Sequence, residues 1–118
     1  YCEYCDSFCA VKSKHCKVCN RCTADFDHHC IWINNCVGSH NYKSFFALII
    51  CTFFHFILYI IGGALATQNK DINQNIKYFI PVWVMIGVLS IMLIFLSQLI
   101  ILHIYLLCRA ITTYEFLI

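Results

Sequence analysis

Residues 15–36 read HCKVCNRCTADFDHHCIWINNC, and before Ile31 they hold few long aliphatic residues on which a fold could condense. They hold cysteine and histidine at short spacings instead. Taken back to Cys2, the close pairs are Cys2/Cys5, Cys16/Cys19 and Cys19/Cys22, with His15 beside Cys16. A C-x2-C turn lets two thiolates chelate one ion, and two such pairs complete a tetrahedral Zn²⁺ site. Metal binding would then supply the folding free energy that apolar burial cannot. The candidate ligands are Cys2, Cys5, Cys9, Cys16, Cys19, Cys22, Cys30, Cys36, His15, His28 and His29, eleven in all. Two closed tetrahedral sites use eight of them, and spacing leaves open which three are spare.

Outward from this stretch the composition divides. Apolar residues make up 61% of the 118 and charged residues 12%. Residues 1–43 carry eight of the ten cysteines and nine of the fourteen charges. A net charge of only +2 gives an electrostatic grip on nucleic acid little to work with. Residue 1 is Tyr and Cys2 already opens a motif, so the chain reads as a piece of a longer protein.

Residues 44–67 (SFFALIICTFFHFILYIIGGALAT) and 78–108 (YFIPVWVMIGVLSIMLIFLSQLIILHIYLLC) contain no charge. A bilayer core needs roughly 20 apolar helical residues, so each is long enough to span. The second would reach about 46 Å as a helix and must tilt or extend beyond the core. Pro81 is expected near that helix's start, within its first turn. Residues 68–77 form a polar connection. The fold class expected is therefore a membrane protein, with all-α transmembrane helices plus a small zinc-stabilised Cys-rich module of little regular structure. Two crossings put residues 1–43 and 109–118 on one side. Five Lys/Arg in the first segment and Arg109 in the tail, against two lysines in the connection, favour the cytosol for both. A reducing compartment also suits metal thiolates.

HCKVCNRC, DHHCIWINNCVG and NYKSF, followed by two spans and TTYE at residues 112–115, resemble the DHHC protein S-acyltransferases, integral membrane enzymes that palmitoylate cysteines. The resemblance covers the Cys-rich module, the family's third and fourth transmembrane helices and its TTxE motif. It implies two interleaved structural Zn²⁺ sites, Cys2/Cys5/His15/Cys22 and Cys16/Cys19/His29/Cys36, which leave Cys9, His28 and Cys30 unligated. It further implies that Cys30 attacks the thioester of palmitoyl-CoA or another long-chain acyl-CoA, becomes S-acylated, and passes the acyl group to a substrate-protein cysteine. His28 would take the thiol proton and Asp27 would orient His28, in the manner of a Ser-His-Asp triad. Thr113 is expected to hydrogen-bond Asp27, and Trp32 to border the acyl chain near the membrane face. Partners would be substrate proteins with accessible cysteines, acyl-CoA and the bilayer, at Golgi/ER or plasma membranes.

His55 lies twelve residues beyond Lys43, about 18 Å deeper along a helix, where a polar side chain could stop the acyl chain. A hydrogen bond to a neighbouring helix is the plainer reading for His55 and still more for His103. Cys51 and Cys108 read as apolar fillers, with Cys108 also open to acylation at the interface. Three departures from the family pattern stand out. Cys9 and Ala10 replace a frequent Lys/Arg-Pro pair, Ile31 replaces the proline after the reactive cysteine, and the first two spans are missing. The alternative function is a catalytically inactive membrane-anchored zinc module acting as a protein-binding adaptor, which has no need of an unligated Cys-His pair. A RING-type ubiquitin ligase would end in a further C-x2-C pair, whereas the last interval here is Cys30-x5-Cys36.

Overall fold

The computed structural model describes residues 1–69 and 75–118, so residues 70–74 of the polar connection lie outside the described residues. Four three-residue strands come first: β1 (Lys14–Cys16), β2 (Arg21–Thr23), β3 (His28–Cys30) and β4 (Asn35–Val37). Helices α1 (Tyr42–Ala66), α2 (Ile76–Arg109) and the short α3 (Thr113–Leu117) follow. The strands form two antiparallel hairpins whose registers set His15 opposite Cys22 and His29 opposite Cys36. Strands this short hold too few ladder bonds to persist alone.

The chain divides into two compact units. One joins Tyr1–Ala47 to Leu102–Ile118, and the other is Leu48–Ile101. In the first unit the buried side chains are those of Cys16, Cys30, Cys36, Val37, Phe45 and Leu106, with Asp27 and His103 among them. That is a core half made of sulfur and polar groups. Gly38 packs where any side chain would collide, since a Cβ there would lie 2.5 Å from Ala24 O and 2.7 Å from Thr23 Cγ2. Asn41 straps the following turn, its Oδ1 accepting from Gly38 N at 2.9 Å and its Nδ2 donating to Cys36 O at 2.9 Å. This strap delivers the chain into α1 one residue later.

The second unit holds the apolar stretches of α1 and α2. Both helices are long and apolar enough to cross a membrane. Of their most apolar windows only 11% and 0% is buried within this chain. Their hydroxyls bond within the helix, Thr52 Oγ1 to Leu48 O and Ser90 Oγ to Ile86 O, as an apolar surround demands. At Gly63 a Cβ would touch Ile86 of α2 at 3.2 Å, so the missing side chain permits close helix contact. Pro81 lies one turn deeper than expected, in the second turn of α2. The reason is Asn75, whose Oδ1 accepts from Lys77 N and whose carbonyl accepts from Tyr78 and Phe79, starting the helix before Tyr78.

The stop of α2 is local. Ala110 takes the left-handed conformation (φ 55°), its N–H bonds Leu107 O, and Ile111 N–H bonds Leu106 O. This is a Schellman stop with alanine where glycine is usual. Thr112 then caps α3. Its hydroxyl accepts from Glu115 N at 3.1 Å while Glu115 Oε2 accepts from Thr112 N at 2.9 Å, a reciprocal capping box.

Candidate active site and metal centres

Each β-hairpin offers one histidine and one cysteine, and each C-x2-C turn offers two more cysteines. Donor atoms of Cys2, Cys5, His15 and Cys22 all lie within 4.8 Å of one another, as do those of Cys16, Cys19, His29 and Cys36. In the first group His15 Nδ1 lies 3.7, 3.2 and 3.9 Å from the sulfurs of Cys2, Cys5 and Cys22. In the second His29 Nδ1 lies 3.7, 3.4 and 3.7 Å from Cys16, Cys19 and Cys36. Tetrahedral Zn²⁺ requires ligand separations of about 3.6 Å for S···N and about 3.8 Å for S···S, and both groups match.

The electrostatics agree with the geometry. Burial, then hydrogen bonds to the neighbouring sulfurs of Cys16 and Cys19, push the Cys36 thiol up to about 12, while Cys16 in the same cluster, against its burial, is held down by the hydrogen bonds it receives. Thr23 Oγ1 is buried with no hydrogen-bond partner among the described residues. These donor sets therefore fit zinc. Cys9 lies outside both groups, its Sγ 3.8 Å from Ser7 O.

His28, His29 and Cys30 are consecutive in β3, where side chains alternate between faces. His29 faces the second metal cluster, so His28 and Cys30 share the opposite face. There His28 Nδ1 lies 2.7 Å from Asp27 Oδ2. Asp27 is 3% exposed and receives two further bonds, from Thr113 N to Oδ1 at 2.8 Å and from Thr113 Oγ1 to Oδ2 at 2.7 Å. Burial raises this carboxyl, but the bonds from His28 and Thr113 outweigh it and hold Asp27 below the usual carboxylate range. An ionised Asp27 accepts a proton-bearing Nδ1, which leaves Nε2 of that tautomer as the acceptor nitrogen. Cys30 is 7% exposed, and its Sγ makes no hydrogen bond among the described residues.

The TTYE motif explains Thr113. Thr112 and Glu115 cap each other, so Thr113 occupies the first helical position, where its N–H has no partner within the helix and turns to Asp27. Lys12 Nζ lies 3.0 Å from Glu115 Oε1, tying α3 back to the Cys-rich module.

The hydrogen bond to a neighbouring helix expected of His103 is present, and it forms a roof over this site that the sequence did not announce. His103 of α2 is 1% exposed, and Tyr42 of α1 lies 3.0 Å away, hydroxyl to Nδ1. Phe45 packs edge-on against both His28 and His103, at 5.1 Å each between ring centres. Only the position of His103, nine residues before TTYE, hinted at this, since it brings the residue to the module's end of α2. Trp32 is 88% exposed in the β3–β4 turn. His55 is exposed on α1 with its ring against Tyr59, and belongs to the second unit. A further legible signal went unused: Cys2/Cys16, Cys5/Cys19, His15/His29 and Cys22/Cys36 are each fourteen residues apart.

A Cys/His module with two four-donor clusters that fit zinc, in one chain with two helices long and apolar enough to cross a membrane, defines the class as a zinc-type head with candidate membrane spans. A profile of the DHHC palmitoyltransferase family matches residues 1–118, and the chain belongs to that family. It is 39% identical over 98% of its length to probable protein S-acyltransferase 16 of Arabidopsis thaliana, covering 42% of that relative. It is 38% identical over its whole length to human palmitoyltransferase ZDHHC11, covering 36% of it. It is 34% identical over 74% of its length to mouse palmitoyltransferase ZDHHC18. The chain thus spans less than half the length of these relatives.

Proposed function

We propose that this chain is the catalytic part of a protein S-palmitoyltransferase that works through an acyl-enzyme on Cys30. The observation that best supports it is the hydrogen-bonded Asp27–His28 pair on the strand face it shares with Cys30, outside both metal clusters. In the first half-reaction His28 Nε2 takes the Cys30 proton, Sγ bonds the acyl carbon of a long-chain acyl-CoA, and the bond to the CoA sulfur breaks. The proton passes from His28 to the departing CoA thiolate. In the second, His28 deprotonates a substrate-protein cysteine, which takes the acyl group while Cys30 recovers a proton. Asp27, held by Thr113, stabilises the imidazolium in each.

Residues i and i+2 of a strand lie about 6.6 Å apart along its axis, within reach of an imidazole and a thiol once acyl-CoA draws them together. Zinc at the eight ligands would be structural, because a closed tetrahedral site has no open position for substrate. Residues 1–43 and 109–118 face the cytosol in this reading. Residues 44–67 and 78–108 span an endomembrane or plasma membrane, with 68–77 on the opposite side. Trp32 borders the acyl chain at the interface in this reading.

The test is intact mass of the zinc-loaded parent protein after incubation with palmitoyl-CoA, beside Cys30→Ser. A palmitoyl-sized adduct that neutral hydroxylamine removes, and that Cys30→Ser lacks, is expected. A parent with two zincs and no adduct would sink this reading and leave the membrane-anchored adaptor.

A further inference from the structure

The fourteen-residue spacing runs through three turns. CEYCDSF (residues 2–8), CKVCNRC (16–22) and CIWINNC (30–36) align position for position. In each, the first cysteine pairs with the residue five later: Cys2 with Ser7, Cys16 with Arg21, Cys30 with Asn35. In each, the fifth residue is Asp or Asn in the left-handed conformation, with φ of 48° at Asp6, 48° at Asn20 and 46° at Asn34. One difference matters for metal. The fourth position is Cys5, then Cys19, then Ile33.

A rule of closure goes with the repeat. Each metal cluster takes the first and fourth residues of one turn, then the residue just before the next turn and that turn's seventh residue. Cys2 and Cys5 are closed by His15 and Cys22, and Cys16 and Cys19 by His29 and Cys36. Applied once more, the rule asks for Cys30 and residue 33, closed by residues 43 and 50. Those are Ile33, Lys43 and Ile50, and a helix begins at Tyr42 where a fourth hairpin would stand. The array stops one donor into its third turn. The face of β3 that carries Cys30 nevertheless keeps metal-type donors, since Asp27, His28 and His103 offer atoms within 4.8 Å of one another.

We propose that Cys30 occupies the first-ligand position of a third, unfinished metal-binding turn, and that Ile33, at its second-ligand position, is the residue that keeps the sulfur unligated and available. This rests on the reading of Cys30 as nucleophile. Ile33 is a positioning residue, acting by withholding a second thiolate. A single cysteine that shares its strand face with His28 is a candidate nucleophile with its base, whereas two cysteines in this turn are a chelate. Its 39% exposure leaves the position open to an arriving ion.

The experiment uses the full-length parent protein in reductant, as wild type, Ile33→Cys, Ile33→Ser and Ile33→Cys/Cys30→Ser. Metal per chain is counted by native mass after exposure to Cd²⁺, chosen for its affinity for thiolates. Wild type and Ile33→Ser are expected to hold two ions, Ile33→Cys three, and the double variant two. Palmitoyl adduct on Ile33→Cys should fall at least about tenfold when the third ion is bound and recover when a mild chelator removes it, a metal dependence that repacking alone does not produce. Two ions on Ile33→Cys, or a third ion with undiminished adduct, overturns the inference. A wild type that forms no adduct, beside an Ile33→Cys variant that takes a third ion, overturns the nucleophile reading while leaving the unfinished turn standing.

Discussion

Thr113→Val removes one atom's worth of chemistry and leaves the shape. Valine keeps the branched side chain at the first position of α3 and keeps the backbone N–H that reaches Asp27 Oδ1 at 2.8 Å. What goes is the hydroxyl 2.7 Å from Asp27 Oδ2, the oxygen that also binds His28. Asp27 is 3% exposed, so water does not replace the lost donor. A hydrogen bond to a charged group is worth about 1.5–3 kcal/mol. If that grip holds His28 in its working orientation, the loss appears as a fall of about 10- to 150-fold in acyl-enzyme formation. The assay is single-turnover adduct formation from palmitoyl-CoA, with zinc content measured on the same sample. Thr113→Ser, which keeps the hydroxyl, should recover most of the rate. A Thr113→Val protein with two zincs and a rate within twofold of wild type would refute the chain of support from Thr113 through Asp27 to His28.

The neighbouring histidines should separate cleanly: His29→Ala loses one zinc and the folded module with it. His28→Ala is expected to keep both zincs while adduct formation falls about 10²- to 10⁴-fold, as for loss of a general base; zinc loss in His28→Ala would refute the division of labour. Two backbone substitutions should have opposite signs. Gly38→Ala, pressed against Ala24 O, should destabilise by about 1–3 kcal/mol, and Ala110→Gly should stabilise by up to about 1 kcal/mol by relieving the left-handed turn, both read as thermal shifts of the zinc-loaded protein. Acid should act through metal before carboxylates. Glu115 is held below its ordinary value by the Thr112 N–H and Lys12, and Asp27 is held down by His28 and Thr113 against its burial. A depressed carboxyl stabilises fully above its unfolded value of about 4, and that support is lost only as pH falls through the folded value. Unfolding between pH 7 and 5 should therefore track zinc release and shift to lower pH with excess zinc; a midpoint indifferent to zinc would contradict this.

Much of the site was written in short patterns. Ligand spacing announced zinc, though it left eleven candidates for eight places, and the resemblance assigned them. The fourteen-residue offset drops Cys9 and His28 from the eleven but keeps Cys30, which it pairs with Cys16, so the chain alone leaves nine candidates for eight places. HHC, once in a strand, must turn its middle residue away from its outer two, because pleating alternates. TTYE is itself a capping-box pattern, and the cap frees Thr113 N–H. Ala110 was harder to see, since alanine at a left-handed helix stop carries none of glycine's signal.

By itself, then, the sequence determined the pool of metal donors, the two apolar helices and the cap at Thr112, because each can be read from residue type and spacing along neighbouring residues. Only the tertiary structure decided that Thr113 meets Asp27 across 86 positions and that Tyr42 meets His103 across 61. Those meetings depend on where α1 and α2 begin and end. Each residue of α-helix turns a side chain by about 100°, so a one-residue change in either helix would aim His103 or Thr113 elsewhere without altering any local motif.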